Sequence, residues 1–377
     1  MNKSMKMAAL ALAAASILGS AIMSSCDNSF GVLADIQTET AQIGTDLFKN
    51  GIVKALGEDG SNYYAVMAKI YYRSFAGESW AVLPVNGSAD YIAAGFASDQ
   101  ASGKIFAAIL DASSSALLGV YGSANAGSSW TEIDSSAISG KTINALFWAG
   151  DSLFALGNDE AAKTYSLFHS DGSSAFTACA GLSGLANPVI GAVKAGSSYW
   201  VATSAKLFAG AAPGTFVEDA TASTPSGGDE IRGLAVDSSG AVLVSNSKGF
   251  VFTLASGTWT SAEVLDGIKL GPLVEVPTAP PATASLRLII GKNNSTYGYC
   301  EWEAATSTQT AATDDAAIFS PNSSSYTTTV YNKPLLSIHY SSANSTILVG
   351  LAAQGSSSYA LYSNRYSGGA WAGWTAE

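Results

Sequence analysis

The stretch Gly119–Ile133, GVYGSANAGSSWTEI, decides the fold of this chain. It contains the end of a β-forming run from Leu117 to Tyr121, a polar turn from Ser123 to Ser129, and a second β-forming run that opens at Trp130. Apolar and aromatic runs on both sides of a Ser/Asn/Gly cluster predict a β-hairpin, because these small polar residues adopt turn conformations readily. The same unit recurs along the chain, so the hairpin is one copy of a repeat.

An aromatic residue follows the polar turn in each copy of the repeat. These residues, which we call the anchor aromatics, are Trp80, Trp130, Phe176, Phe216, Trp259, Trp302 and Trp371. Five of the six spacings between neighbours are about 40 to 50 residues, the length of one four-stranded propeller blade. The sixth spacing is longer because it contains a polar insertion, Ala304–Tyr331.

Each repeat also carries three earlier strands in a fixed order. In the fifth repeat they are Glu230–Val236, Ala241–Asn246 and Gly249–Leu254, and Thr258–Val264 is the fourth. The sequence therefore predicts an all-β fold, a seven-bladed β-propeller of four-stranded antiparallel blades. Regular strand spacing alone also fits a β-sandwich or a β-helix. A recurring aromatic at the start of each fourth strand favours blades, because each sheet needs an anchor against its neighbour.

The first and sixth repeats are less regular than the others. The inner strand of the first is predicted within Gly51–Leu56, and the sixth is predicted to carry a Pro-rich insertion, Pro277–Ala284, between its first two strands. The fourth strand of the seventh repeat ends the chain given. Closure of the ring is therefore expected from the N-terminal region, for example by pairing of Ile36–Thr40 with the last blade, or from packing alone.

The turn from Ser123 to Trp130 resembles the Asp-box of bacterial-neuraminidase repeats, Ser-x-Asp-x-Gly-x-x-Trp. Ser123, Gly127 and Trp130 match the motif, and Asn125 stands where the family has Asp. The resemblance implies a propeller fold for most of the chain. In that family, which includes sialidases and many binding propellers, the box is a structural turn remote from the catalytic face. It therefore implies little about activity.

Residues 1–25 have the pattern of an export signal. Lys3 and Lys6 precede an apolar run, Met7–Met23, and small residues precede Cys26, as in a bacterial lipoprotein signal. We expect residues 1–25 to be a signal peptide, Cys26 to carry the lipid, residues 27–50 to form a tether, and residues 51–377 to form the propeller. The prediction is an exported protein that is anchored to the cell membrane or the outer membrane. An ordinary cleaved signal peptide is the alternative.

Composition excludes several classes of protein. Hydrophobic residues make up 47% of the chain and charged residues 12%, with a net charge of −11. That apolar content rules against a disordered chain, and an acidic chain without a basic stripe does not favour nucleic acid as a partner. We expect Cys179 and Cys300 to be buried free thiols, because blades 3 and 6 are too far apart for a disulfide.

No catalytic, metal-binding or cofactor-binding pattern emerges from the sequence. A sialidase needs three converging arginines, whereas the four arginines here, Arg73, Arg232, Arg287 and Arg365, fall in different places of their repeats. The two histidines, His169 and His339, show no zinc-ligand spacing. His339 lies on a predicted inner strand, where it could face the central channel. The adjacent acidic pairs lack the alternating pattern of a calcium loop.

The sequence thus favours a non-catalytic binding or scaffold module at the cell envelope, with a protein or glycan partner. The loops on one predicted face are rich in Ser, Thr, Asn and Ala, which suits adaptable hydrogen bonding. They include Asp111–Ala116, Asp134–Lys141, Asn158–Lys163, Ala220–Asp229 and the insertion Ala304–Tyr331. A glycan-active hydrolase or lyase with a divergent site and a surface adhesin are the alternatives.

Overall fold

The fold is an all-β propeller of seven blades, as predicted. The computed structural model describes residues 47–219, 229–280, 282–292, 298–302, 334–352 and 359–377. The predicted lipid attachment site Cys26, the segment Ile36–Thr40 and the insertion Ala304–Tyr331 lie outside these ranges. The compact unit that forms the propeller is Phe48–Glu377. It therefore includes Phe48, which the sequence assigned to the tether.

The first four blades each have four described strands. Blade 1 is β1 to β4, Ala55–Glu58, Asn62–Val66, Ile70–Ser74 and Ala81–Val82. Blade 2 is β5 to β8, Ile92–Asp99, Lys104–Leu110, Leu117–Ser123 and Thr131–Ile133. Blade 3 is β9 to β12, Thr142–Ala149, Ser152–Asp159, Thr164–Ser170 and Thr177–Ala178. Blade 4 is β13 to β16, Val189–Ala195, Ser198–Thr203, Leu207–Ala212 and Thr215–Glu218.

The last three blades follow the same plan with local differences. Blade 5 is β17 to β20, Ile231–Val236, Val242–Asn246, Phe250–Ala255 and Thr258–Glu263. The described strands of blade 6 are β21 to β23, Leu270–Ala279, Ala282–Lys292 and Tyr299–Trp302. Blade 7 is β24 to β28, Leu335–Ser341, Thr346–Leu351, Leu361–Ser367, Ala370–Trp371 and Thr375–Ala376. A single 3-10 turn, Ser136–Ile138, lies between β8 and β9 among the described residues.

Strands pair in chain order within every blade, and each pair is antiparallel. In blade 7 the fourth position is shared by β27 and β28, which both pair with β26. The first strand of each blade is the inner strand, and inner strands of consecutive blades contact one another around the ring. Apolar clusters of buried side chains fill the junctions between consecutive blades from blade 1 to blade 7. The core is thus a series of layers between sheets.

Two local predictions were wrong. The inner strand of blade 1 is Ala55–Glu58, so it begins later than the predicted segment Gly51–Leu56 and extends past it. The predicted insertion Pro277–Ala284 does not separate two strands, because β21 and β22 extend to Ala279 and from Ala282. Pro277 is tolerated there because β21 is the edge strand of its blade and need not donate from both sides.

The ring closes where blade 7 meets blade 1, a junction that we call the seam. The N-terminal segment contacts blade 7 at the end of β25 and just before β26, where Val53 N donates to Leu351 O at 3.2 Å and Ala360 N donates to Phe48 O at 2.7 Å. The outermost strands of blade 7 come from the C-terminal segment. Closure therefore combines the two ends of the described chain.

Candidate functional site

The inner strands of all seven blades line a central channel with a cavity of about 640 Å³. Its walls are mainly small and apolar side chains, such as Phe96, Leu146 and Leu234. A concave apolar site with a few polar groups is the usual form of a ligand-binding site. The channel is therefore the candidate functional site.

A bulge near the start of the inner strand recurs from blade 2 to blade 7. In blades 2 to 5 and blade 7, the pairing with the second strand skips one residue of the inner strand there. In blade 6, two residues of the inner strand lie opposite one residue of the second strand. Bulges commonly re-aim a side chain at functional sites. In blade 1, Lys54 occupies the matching place just before β1. The resulting set, which we call the mouth ring, lines the channel and consists of Lys54, Ala94, Asn144, Ile190, Arg232, Pro272 and Leu336.

A small residue follows the bulge in several blades and lets the inner strands approach each other closely. A β-carbon on Gly95 would lie 2.8 Å from Leu146 N of blade 3, and one on Gly233 would lie 2.5 Å from Gly271 O of blade 6. Both distances are too short for a real contact, so glycine is required there. The bulge and the glycine together fix which side chain faces the channel.

Two cationic side chains, Lys54 and Arg232, line the channel, and no Asp or Glu belongs to the described lining. Asn144 and His339 also line it, and their side chains can donate or accept a hydrogen bond. Arg232 forms an ion pair with Glu230, with 3.0 Å between Nη2 and the carboxylate. Acidic residues outnumber basic ones in the whole chain, 29 against 18, whereas the described channel lining contains basic residues and no acidic ones.

Behind the channel wall lies a buried carboxylate. Glu58, at the end of β1, is fully buried, and its Oε1 lies 3.7 Å from Nε2 of His339. Neither carboxylate oxygen of Glu58 has a hydrogen-bond partner in the described part of the chain. Gln100 of blade 2 donates to Ser342 of blade 7 at 3.1 Å, so these two blades meet across the short hairpin of blade 1. Position in the sequence did not reveal Glu58, because its partner lies at the other end of the chain.

The four arginines do not converge. Arg73 is bound to Glu377 and Arg287 pairs with Glu301 at 2.8 Å, both away from the described channel lining. Arg232 is the one arginine among the described lining residues. This arrangement lacks the arginine cluster that binds the substrate carboxylate in the sialidases that the turn motif resembles.

The predicted turn at Ser123–Trp130 is held by its own polar side chains. Asn125 Oδ1 accepts from Ser129 N at 2.9 Å, and Ser123 Oγ accepts from Gly127 N at 2.9 Å. The turn joins β7 to β8 and does not line the channel. Its network satisfies backbone donors of the turn, which is a structural role.

The corresponding turn of blade 3 uses an aspartate. Asp171 Oδ1 accepts from Ser173 N at 2.8 Å and from Ser174 N at 2.7 Å. These backbone hydrogen bonds hold the pKa of Asp171 well below its usual range, because they favour the charged carboxylate. Asn125 provides the same kind of acceptor without the charge.

Three of the anchor aromatics are tryptophans that donate to the preceding blade. Nε1 of Trp130 donates to Pro84 O at 3.0 Å, and Nε1 of Trp259 donates to Asp219 at 3.2 Å. Nε1 of Trp80 donates to Glu377 at 3.0 Å across the seam. Each acceptor lies just after the last described strand of the preceding blade, so the indole ties consecutive blades together.

The remaining anchor aromatics differ in position. Phe176 and Phe216 are buried in the clusters that join blade 3 to blade 2 and blade 4 to blade 3. Trp302 ends the third strand of blade 6, so its predicted place at the start of a fourth strand requires correction. Trp371 lies in β27 and is only half-buried.

The buried tryptophan of blade 7 is Trp374, which the repeat alignment missed. Its side chain is 2% exposed, and Nε1 donates to the hydroxyl of Tyr299 in blade 6 at 3.2 Å. The sequence signal for it was the presence of two tryptophans, Trp371 and Trp374, in one short segment. Trp371 follows the turn directly, as the anchor aromatics of the other repeats do, and Trp374 lies three residues further on.

Two of the predicted polar loops, Asp111–Ala116 and Asp134–Lys141, contribute to the lining of a second cavity of about 490 Å³. Asp111 accepts hydrogen bonds from Ser113 and Ser114, which lower its pKa to about 2. These contacts are internal to the loop, so they order the loop itself.

The two cysteines and His169 do not lie in surroundings that would make them reactive. No disulfide joins Cys179 and Cys300, which are both buried in the described chain. Burial raises the pKa of Cys179 to about 12, which makes its thiol unreactive. Burial also lowers the pKa of His169. Among the residues that the structure covers, no group of three metal-ligating side chains occurs.

Comparison with known proteins supports the fold alone. No protein family matches this sequence, and no curated protein matches it. A solved structure of YCF48 bound to D1 peptide is similar over 86% of this chain and 96% of its own, with 10% identity and a TM-score of 0.55. A structure of YCF48 from Cyanidioschyzon merolae is similar over 81% of this chain and 94% of its own, with 11% identity and a TM-score of 0.51.

A third similar structure is the extracellular domain of BT4673 from B. thetaiotaomicron. It matches 84% of this chain with 13% identity and a TM-score of 0.53, and the match spans 39% of that longer structure. The chain thus has the architecture of the β-propeller class. Within the described residues, no helix has the length and apolar content needed to cross a membrane.

Proposed function

We propose that this chain is an exported, lipid-anchored β-propeller that acts as a non-catalytic binding or scaffold module at the cell envelope. The observation that carries the proposal is the chemistry of the channel. It offers apolar walls and several donors, and its described lining contains neither a tyrosine nor a carboxylate. A ligand could be held there by hydrogen bonds and apolar contact.

A protein or glycan partner fits this site. The YCF48 structure contains a bound peptide, which shows that a propeller of related architecture can bind one. The alternative of a glycan-active hydrolase or lyase would require acid and base groups near the substrate, typically a pair of carboxylates. The adhesin alternative differs only in where the partner lies, and exposure on intact cells would distinguish it. We propose no cofactor, metal or nucleic-acid partner.

Anchoring is the second part of the proposal and rests on the sequence of residues 1–26. Export would use the signal peptide at 1–25, and lipidation would use Cys26. Metabolic labelling with an alkyne fatty acid tests it. We expect labelled protein in the membrane fraction, and loss of both label and membrane association in Cys26→Ser. Export of an unlabelled, soluble wild-type protein would contradict the anchor.

Site-specific crosslinking tests the binding function. A photoreactive residue at Leu336, which is 39% exposed in the mouth ring, is compared with one at Val217, which is 70% exposed on the outer strand β16. We expect one defined crosslinked species in cells from position 336 and none from position 217. Equal crosslinking from both positions, or turnover of envelope glycans by the purified protein, would contradict the proposal.

A further inference from the structure

The three strongest donors of the mouth ring lie on alternate blades. Lys54 belongs to blade 1, Asn144 to blade 3 and Arg232 to blade 5, and each lines the channel. Consecutive inner strands contact one another around the ring, so these three side chains surround the channel entrance from three directions. The other ring positions are apolar: Ala94, Ile190, Pro272 and Leu336.

This arrangement favours a negatively charged group at the entrance. Lysine and arginine donate charge-assisted hydrogen bonds to carboxylate and phosphate oxygens. The single Nε atom of Arg232 is buried without a hydrogen-bond partner in the described chain. A buried donor is normally satisfied, so it calls for an acceptor. A ligand that carries acceptor oxygens would provide one.

The ion pair between Arg232 and Glu230 does not block this role. The side chain of Glu230 is 54% exposed, and the pair uses one terminal nitrogen of the guanidinium. Exposed pairs of this kind contribute little free energy, and a guanidinium has five N–H donors. A ligand anion can therefore share Arg232 or displace Glu230.

The deeper part of the channel differs from the entrance. His339 lies three residues beyond Leu336 on β24, a distance of about 10 Å along a strand, and the buried carboxylate of Glu58 lies behind it. The walls between the two levels include Leu146, Leu234 and Ile338. The channel is thus polarised, with donors at the entrance and apolar walls below.

We propose that the channel binds a small organic anion, with its carboxylate or phosphate at Lys54, Asn144 and Arg232 and its apolar body directed toward His339. This inference rests on the proposed binding role of the channel and goes beyond it, because it adds a small ligand to the protein or glycan partner. Binding must weaken as salt rises, because the charged groups at the entrance are partly exposed. The apolar body adds affinity through burial of its surface.

Calorimetric titration of the purified protein tests the inference. The probes are hexanoate and hexyl phosphate, with hexanol and hexylamine as partners of the same length that lack the negative charge. We expect saturable binding of at least one anionic probe and none of hexylamine. If hexanoate and hexyl phosphate differ, the preferred head group is identified. Equal binding of all four probes, or of none, would overturn the proposal.

Matched variants locate the site. Lys54→Ala and Arg232→Ala should each weaken binding of the anionic probe about tenfold or more, as expected for a lost charge-assisted hydrogen bond. Lys206→Ala and Arg365→Ala remove the same charges from exposed positions outside the channel lining and should leave binding unchanged. Equal losses in all four variants would indicate a nonspecific charge effect and overturn the site.

Two further measurements keep the result interpretable. Arg232→Lys retains the charge and should recover part of the affinity, even if Arg232→Ala disturbs the bulge; no recovery in a folded protein would contradict the electrostatic role. The probes are titrated without any partner, so their failure to bind leaves the crosslinking result at position 336 intact. Loss of crosslinking with retained probe binding would instead contradict only the macromolecular partner.

Discussion

The junction between blades 3 and 4 and the seam between blades 7 and 1 join sheets of the same architecture with different chemistry. At the inner junction, Phe154 is fully buried and packs edge-to-face on Phe216 at 6.2 Å. The ion pair of that junction, Lys194 with Asp151 at 2.9 Å, lies at an exposed edge. The stability of this junction therefore depends mainly on apolar burial and little on charge.

The seam instead places charged groups in the interior. Arg73 binds Glu377, whose side chain is 6% exposed, and it lies over the ring of Trp80 at 5.1 Å. Glu58 is fully buried beside His339. A buried ion pair adds little net stability relative to apolar packing, but removal of one partner leaves an uncompensated charge. The two regions should thus respond differently to substitution.

Phe154→Ala at the inner junction is expected to have the largest effect. It removes a fully buried aromatic ring and should lower the free energy of unfolding by about 3–5 kcal/mol, through lost apolar burial and a cavity. Urea denaturation measures it. Val217→Ala, at an exposed position of the adjacent blade, is the control and should stay within about 0.5 kcal/mol. A similar loss in both variants would show that the junction is not rigidly packed.

Arg73→Met removes the ion pair with Glu377 at the seam and changes the side-chain volume little. It should lower the free energy of unfolding by about 1–3 kcal/mol, because the buried carboxylate of Glu377 loses its charged partner. Combining it with Glu377→Gln should cost less than the sum of the two single changes, since both remove the same interaction. Arg365→Met, at an exposed position, is the control. Strict additivity in the double variant would contradict a coupled pair.

The repeat and its blades could be predicted from sequence because the anchor aromatics follow recognisable turns. The alignment failed at Trp302, where the segment Tyr299–Trp302 pairs with β22 as a third strand. It also failed at Pro277, because proline suggests a break although an edge strand accepts it. Local patterns thus identified units correctly, while the register within an irregular unit depended on pairing with a neighbouring strand.

The channel site could be predicted only in part. His339 was placed on an inner strand from its apolar context, but the mouth ring depends on bulges. A glycine inside a strand pattern, as in Gly95, Gly191 and Gly233, is a recognised sign of a bulge, so this signal was available. The approach of Glu58 to His339 was not predictable, because it arises from closure of the ring between distant parts of the chain.

Glu58→Gln should change the free energy of unfolding in the opposite direction to Arg73→Met. Glu58 is a fully buried carboxyl group whose two oxygens lack a hydrogen-bond partner in the described chain. Replacement by a neutral amide of nearly the same shape removes the cost of burying a charge there and should raise the free energy of unfolding by about 1–3 kcal/mol. Glu132→Gln, at an exposed position of β8, is the control. A loss of stability in Glu58→Gln would mean that the carboxylate is compensated at the seam.

The smallest effect is expected at the polar turns of blades 2 and 3, which lie outside both junction cores. The pKa of Asp171 is lowered by hydrogen bonds from Ser173 N and Ser174 N, so its charge stabilises the folded state above the unfolded pKa of about 3.9. That stabilisation is lost as the pH falls through the folded-state pKa. Asp171→Asn should therefore lower the melting temperature slightly at neutral pH and approach the wild-type value in acid.

The turn of blade 2 provides the reciprocal experiment. Asn125 accepts from Ser129 N with the same kind of oxygen, so Asn125→Asp adds the charge that Asp171→Asn removes. It should raise the melting temperature at about pH 7. The matching gain in the free energy of unfolding should be less than about 1 kcal/mol, and it should disappear in acid. Opposite shifts that both vanish at low pH would assign the effect to the carboxylate charge. Shifts of the same sign, or shifts that persist in acid, would assign it to altered turn geometry.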